Sequence, residues 1–210
     1  HSPPPPPPDL YTVYKSSAAS DVYKRQAVMS SVLTQNYFDI FSLPRRYGLD
    51  RGGLDARYRD LQRSVHPDRF ASGSDHERRV SMQQAARINE AYQVLRDPLK
   101  RGRYLLELRG VHLDDRQGAH QDAGFLMQQM ELRESLAEVR QQDDPLGALD
   151  RLGGDIEARF RELEARLGQV LDADAGDAAE AAALVQKMQF FTRLREQVQQ
   201  LEADLEDELS

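Results

Sequence analysis

From residue 36 onward the apolar positions recur at intervals of three and four, and no segment alternates apolar with polar as a half-buried strand would. The chain is therefore expected to be all-α. Asn36 can cap a short helix carrying Tyr37, Phe38, Ile40 and Phe41, which Pro44 ends. Asp50 can cap a second, in which Leu54, Tyr58, Leu61 and Val65 form one stripe. Ser74 and Glu77 have the spacing of a capping box. They open a third helix whose Met82, Ala85, Ile88, Tyr92 and Leu95 are expected to pack back on the second. Asp97-Pro98, a cap followed by proline at the first helical position, starts a fourth that runs through Leu105 to Gly110.

Three longer amphipathic helices follow. The middle one places Leu149, Leu152, Ile156, Phe160, Leu163 and Leu167 on one side, and the last does the same with Leu184, Met188, Phe191, Leu194, Val198, Leu201 and Leu205. Asp143-Asp144-Pro145 and residues 172–177 supply turns, so an antiparallel three-helix bundle is expected. The first of the three, about 122–141, has more apolar surface than one core needs. Phe125, Leu132, Leu136 and Val139 fall within about 60° on a helical wheel and suffice for burial. Leu126, Met127 and Met130 project about 100° to 200° away from Phe125, edged by Glu131 and Glu134. Phe190 is adjacent to Phe191 and lies toward the rim if Phe191 is in the core. By periodicity alone, this face either packs against the first segment or docks a protein. The acidic run Glu202, Asp204, Glu206, Asp207 and Glu208 opposes the helix dipole, and fraying is expected there.

Residues 1–28 differ in character from the remainder. They contain a proline run and a repeat of Val-Tyr-Lys at 13–15 and 22–24. Residues 21–26 resemble a translated transposon end used in sequencing libraries. The expected start is Met29, with residues 1–28 a non-native, adaptor-derived or disordered extension; a Pro-rich linker or targeting arm is the alternative. The chain has no cysteine, which removes disulfides, thiolate catalysis and cysteine-ligated zinc or iron–sulphur centres. No cofactor or metal site is expected. No apolar run approaches the roughly 18 residues of a membrane span. A net charge of −7 argues against general nucleic-acid binding, though a local basic face remains compatible with it. These features suit a bacterial cytoplasmic protein.

The most informative chemistry is His66-Pro67-Asp68, between the second and third helices. Pro67 disfavours helical backbone at His66, so the second helix stops there and the trio stands on a turn. Arg59 and Arg63 fall opposite the buried stripe of that helix, and Arg57 flanks it, leaving a basic outer face for a partner. His66 with Asp68 could in principle support acid–base chemistry. No Ser or Cys nucleophile, metal cluster or Gly-rich phosphate loop accompanies them, so no catalytic residue is assigned. His76, His112 and His120 fit no metalloenzyme spacing.

Tyr58 to Phe70 (YRDLQRSVHPDRF) and Ile88 to Tyr104 (INEAYQVLRDPLKRGRY) resemble the J domain of the DnaJ class. The resemblance implies a helical hairpin with the His-Pro-Asp loop at its tip. His66, Pro67 and Asp68, with the basic residues Arg59, Arg63 and Arg69, would then face a DnaK-type chaperone. Val65 stands where that class usually has tyrosine. The Gly/Phe-rich stretch and cysteine repeats of DnaJ itself are absent. Instead Ala123 to Glu134 (AGFLMQQMELRE), Lys187 to Arg195 (KMQFFTRLR), Phe70 to Ser74 and Arg103 to Leu106 resemble the HscB family, J-type co-chaperones of bacterial iron–sulphur cluster assembly. That resemblance implies a J domain with connecting helix over 36–110 and a C-terminal bundle over 120–207. It also implies two partners, the chaperone HscA and the scaffold IscU. Leu126, Met127, Met130, Glu131, Glu134 and Phe190 match the family's scaffold-binding patch. Recruitment of a general DnaK chaperone to another client is the alternative. A chain beginning at Met29 should unfold at the same temperature as the full sequence; a lowered midpoint in thermal denaturation would show that the first 28 residues contribute to the fold.

Overall fold

The computed structural model describes residues 32–66, 74–113, 122–174 and 176–209. Every regular element among them is helical. By contact they group into two units: the described residues up to Pro44 with Arg51–Gln93, and Arg45–Asp50 with those from Val94 onward.

In the first unit, α1 (Tyr37–Ile40) starts where the Asn36 side chain accepts a hydrogen bond from the Asp39 backbone N–H at 3.0 Å. The chain leaves α1 through Ser42, whose φ of 50° lies in the left-handed region. Arg57 holds that turn by donating to the carbonyls of Phe41 and Ser42. Helices α2 (Arg51–Val65) and α3 (Asp75–Arg96) form the hairpin. The Tyr58 and Tyr92 rings stack 4.0 Å apart. The Tyr92 hydroxyl donates to Asp55 and the Tyr58 hydroxyl to Asn89, each at 2.9 Å, and Ser81 donates to the Val65 carbonyl at 2.7 Å. Partners on α3 descend in number as those on α2 ascend, so the pair is antiparallel. Leu54 and Val65 are buried and Tyr58 and Leu61 half-buried, as the stripe on α2 predicts.

The expected stripe on α3 holds at Ile88, Tyr92 and Leu95, which are buried, and departs from expectation only in the first half of the helix. Met82 is 63% exposed and Ala85 half-buried, whereas Ser81 and Gln84 are buried, so the inner face there reads Ser81 and Gln84. The cause is the end of α2, where the last carbonyls have no partner within the helix. A serine hydroxyl can satisfy the Val65 carbonyl. A methionine there could not.

The second unit contains α4 (Pro98–Leu108), α5 (Ala123–Glu138) continued by a 3-10 turn (Val139–Gln141), α6 (Pro145–Asp172) and α7 (Ala178–Leu209). Aspartate side chains cap all four α-helices: Asp97 accepts from Lys100 N–H at 2.9 Å, Asp122 from Phe125 N–H at 3.0 Å, Asp144 from Gly147 N–H at 3.0 Å and Asp177 from Glu180 N–H at 3.2 Å. Pro98 and Pro145 sit at the first helical positions, where no backbone N–H is needed. Glu157 pairs with Arg195 at 3.0 Å and Arg166 with Glu180 at 2.6 Å, so α6 and α7 are antiparallel. Asp122 meets Lys187, and Arg140 meets Asp204 and Glu208, so α5 runs in the direction of α7. Ile156, Leu167, Val185 and Met188 are fully buried in the bundle. Farther along, Val139, Leu149 and Leu205 form a cluster with Leu136, Leu146, Leu152, Val198 and Leu201.

The acidic end of α7 is ordered rather than frayed, with helix to Leu209. Arg140 supplies the missing countercharge, 2.5 Å from Glu208 and 3.7 Å from Asp204, and its own pKa is raised, chiefly by the hydrogen bond to Glu208. Leu205 anchors the same turn in the core.

Helix α4 packs on α6 and α7, and Gly102 allows the approach: a Cβ there would lie 2.8 Å from Leu167 and 3.3 Å from Val185. The segment Arg45–Asp50 is fixed to this unit by polar contacts. Asp172 accepts from the backbone N–H groups of Tyr47 and Gly48 at 2.6 and 2.8 Å. The buried Arg101 guanidinium lies 4.6 Å from the Tyr47 ring centre and donates to the Leu95 carbonyl at 2.7 Å. Burial drives the Tyr47 hydroxyl well above the usual phenol range, keeping it neutral. Replacing Asp172 by Ala removes the acceptor for two N–H groups and should lower unfolding stability by about 1–3 kcal/mol in chemical denaturation. Hydrogen exchange at Tyr47 and Gly48 should accelerate with it.

Candidate functional site

Two surfaces carry the residues singled out by sequence, one in each unit. In the first unit, α2 ends at Val65 because the next residues are His66 and Pro67. Val65 is buried and tied to α3 through Ser81, so His66, which is exposed, follows directly from a fixed point. Pro67, Asp68 and Arg69 lie outside the described residues.

Arg59 and Arg63 are exposed on the outer side of α2. Arg57 differs from them: its guanidinium is committed to the α1 turn. Arg63 also forms an ion pair with Asp60 on the same helix, with both side chains largely in solvent. Such an exposed pair is worth only about 0–1 kcal/mol, so a partner's carboxylate can displace it.

Beyond the undescribed residues, the expected capping box is formed at the start of α3. The Ser74 N–H donates to Glu77 Oε2 at 2.8 Å, and the Glu77 N–H donates to Ser74 Oγ at 3.3 Å. The hydrogen bond from the Ser74 backbone is the main reason the Glu77 pKa is lowered.

In the second unit, α5 divides into two faces. Phe125, Leu132 and Val139 are buried, whereas Leu126, Met127 and Met130 are 42%, 64% and 64% exposed. Glu131 and Glu134 are exposed beside them. The apolar residues in excess of the core's needs therefore stand in solvent. Phe190 is half-buried and Phe191 buried, as the wheel predicts. The Phe190 ring meets Phe125 edge-on with centroids 5.6 Å apart, and Arg133 lies 5.5 Å above its centre. Phe190 is thus held against the flank of α5. Lys187 pairs with Asp122 at 2.7 Å and lies 5.2 Å from the Phe125 ring centre, fixing the first turn of α5 against α7. This hydrogen bond, ahead of the cap to Phe125 N–H, holds the Asp122 carboxyl below its usual range.

Gln129, unremarked in the sequence, is buried on α5 between the two faces. A glutamine interrupting an apolar stripe is its only sequence signal. Among the described residues there is no group of three His, Cys, Asp or Glu side chains able to hold a metal. Nor is any described helix long and apolar enough to cross a membrane. His76 and His112 are exposed, and His120 lies outside the described residues.

Comparison with known proteins matches residues 36–104 to the DnaJ domain and residues 121–199 to the HSCB C-terminal oligomerisation domain. A co-chaperone protein HscB homologue from Pseudoalteromonas atlantica is 42% identical over 174 residues, 82% of this chain and 99% of that protein. The chain belongs to the HscB family of co-chaperones. A second HscB homologue, from Cupriavidus taiwanensis, is 42% identical over 179 residues, 85% of this chain and the whole of its own length. The structure of chaperone HscB from Vibrio cholerae superposes with a TM-score of 0.74 at 39% identity, covering 81% of this chain and 99% of that one. The crystal structure of human co-chaperone protein HscB gives the same TM-score at 31% identity, covering 80% and 83%. Membership of the HscB family accounts for both the hairpin and the bundle.

The lowered Glu77 pKa sets the sign of a pH effect. Its contribution is complete above the usual carboxylate range and is lost as pH falls through the lowered value. Glu77→Gln should therefore speed hydrogen exchange at Ser74 and the first turn of α3 at neutral pH, and the difference from wild type should shrink on acidification.

Proposed function

We propose that this HscB-family chain is a two-site adaptor that binds the iron–sulphur scaffold IscU and delivers it to the DnaK-type chaperone HscA, whose ATP hydrolysis it stimulates. The observation that carries the reading is the solvent-exposed Leu126, Met127 and Met130 cluster on a helix whose opposite face already fills a core. Solvent exposure of three large apolar side chains on one helix is unfavourable unless a partner covers them. Met side chains adapt their shape to such a partner. Glu131 and Glu134 frame the cluster and would orient the scaffold by charge, and Phe190 would close its flank.

The chaperone side of the adaptor is His66, Pro67 and Asp68, with Arg59, Arg63 and Arg69 supplying positive charge. Support comes from the exposure of His66, Arg59 and Arg63 and from the match to the DnaJ domain. A ligand shifts a conformational equilibrium only through different affinities for its two states. His66, Pro67 and Asp68 must then bind more tightly to the chaperone conformation that hydrolyses ATP. Holding the scaffold on the same chain raises its local concentration at the moment hydrolysis closes the chaperone on it. The chain contributes no chemistry of its own in this scheme; ATP is bound and cleaved by the partner. A bacterial cytoplasmic setting fits the cysteine-free, acidic composition.

The division of labour is tested by two variants assayed in parallel. Asp68→Asn should abolish stimulation of HscA ATPase while leaving the Kd for IscU unchanged. The triple replacement of Leu126, Met130 and Phe190 by Ala should weaken IscU binding by at least about tenfold, as truncation of clustered apolar anchors does, and spare stimulation by the J domain alone. Loss of both functions in either folded variant would sink the two-site scheme.

A further inference from the structure

Beside the exposed apolar face, between α5 and α7, lies a groove of about 230 Å³ whose lining includes Gln129, Arg133, Gln186, Gln189, Phe190 and Arg193. Its lining contains no carboxylate, in a chain where acidic residues outnumber Lys and Arg by 35 to 28. Arg133 and Arg193 are exposed, and among the described residues neither forms an ion pair. The amide groups of Gln129, Gln186 and Gln189 likewise make no side-chain hydrogen bond among the described residues, even though Gln129 is only 7% exposed. An amide can both donate and accept, which matches the alternating groups of a peptide backbone.

The groove adjoins the apolar face. Leu126 and Arg133 are seven residues apart and so within about 20° on α5. The Arg133 guanidinium lies over Phe190, which is therefore both the wall of the groove and the edge of the apolar face.

We propose that this groove receives an extended acidic segment of the same client that docks on Leu126, Met127 and Met130. Carboxylates of that segment pair with Arg133 and Arg193, and its backbone bonds the glutamine amides. The inference rests on the scaffold-binding reading above and extends it from α5 onto α7. It assigns the two surfaces different work: the apolar face supplies affinity, and the groove supplies orientation and rate of encounter.

The test is calorimetry and stopped-flow binding of purified IscU to wild type, Arg133→Glu, Arg193→Glu and Arg151→Glu. The last changes the net charge equally at an exposed position on α6. Each groove variant should bind about tenfold more weakly at roughly 0.05 M ionic strength, mainly through slower association, and the loss should narrow at about 0.5 M. Arg151→Glu should bind as wild type does. Failure of wild type to bind IscU would overturn the scaffold reading and this inference together. Binding by wild type with unchanged Kd and salt dependence in both groove variants would overturn the groove alone, as would an equal loss in Arg151→Glu.

Discussion

The exposed apolar face of the second unit depends on the packing between α6 and α7. These two long antiparallel helices bury an apolar stripe against each other that includes Ile156, Phe160, Leu167, Val185, Met188 and Phe191. Because most of the core is complete between them, α5 needs only a narrow contribution from Phe125, Leu132 and Val139 to be held. A helix required to fill a whole core would have to turn its longest apolar side chains inward. Here α5 can keep Leu126, Met127 and Met130 outside without loss of packing. Its position is secured at both ends by charge, Asp122 with Lys187 and Arg140 with Asp204 and Glu208.

In the first unit the analogous constraint is the fixed end of α2. Ser81 satisfies the Val65 carbonyl from inside the hairpin, and Glu77 satisfies the Ser74 N–H at the start of α3. The end of α2 and the start of α3 are thus each held by a hydrogen bond.

Local signals were the most legible in the sequence. The caps at Asn36, Ser74 and Asp97 each involve residues three apart, and form as expected. The outward face of α5 was legible too, because the number of apolar residues exceeds what one buried stripe can hold. What escaped the periodicity was polar and long-range. Ser81 is inward because a helix end had to be satisfied, a need that a hydrophobicity pattern cannot express. Arg140 orders the acidic end of α7 across 68 residues of sequence, and Asp172 reaches Tyr47 across 125. The match of Arg133 and Arg193 to the same groove required knowing how α5 and α7 lie together.

The clasp of Asp172 on Tyr47 and Gly48 bears on modularity. Since Arg45–Asp50 groups by contact with the second unit while the chain on either side groups with the first, the polypeptide passes between units three times. No single break in the gene separates the two cleanly: fission at residue 93 strands the Tyr47 segment away from the aspartate that holds it. A first unit exchanged whole by recombination at that boundary would carry Tyr47 and Gly48 with it, away from Asp172.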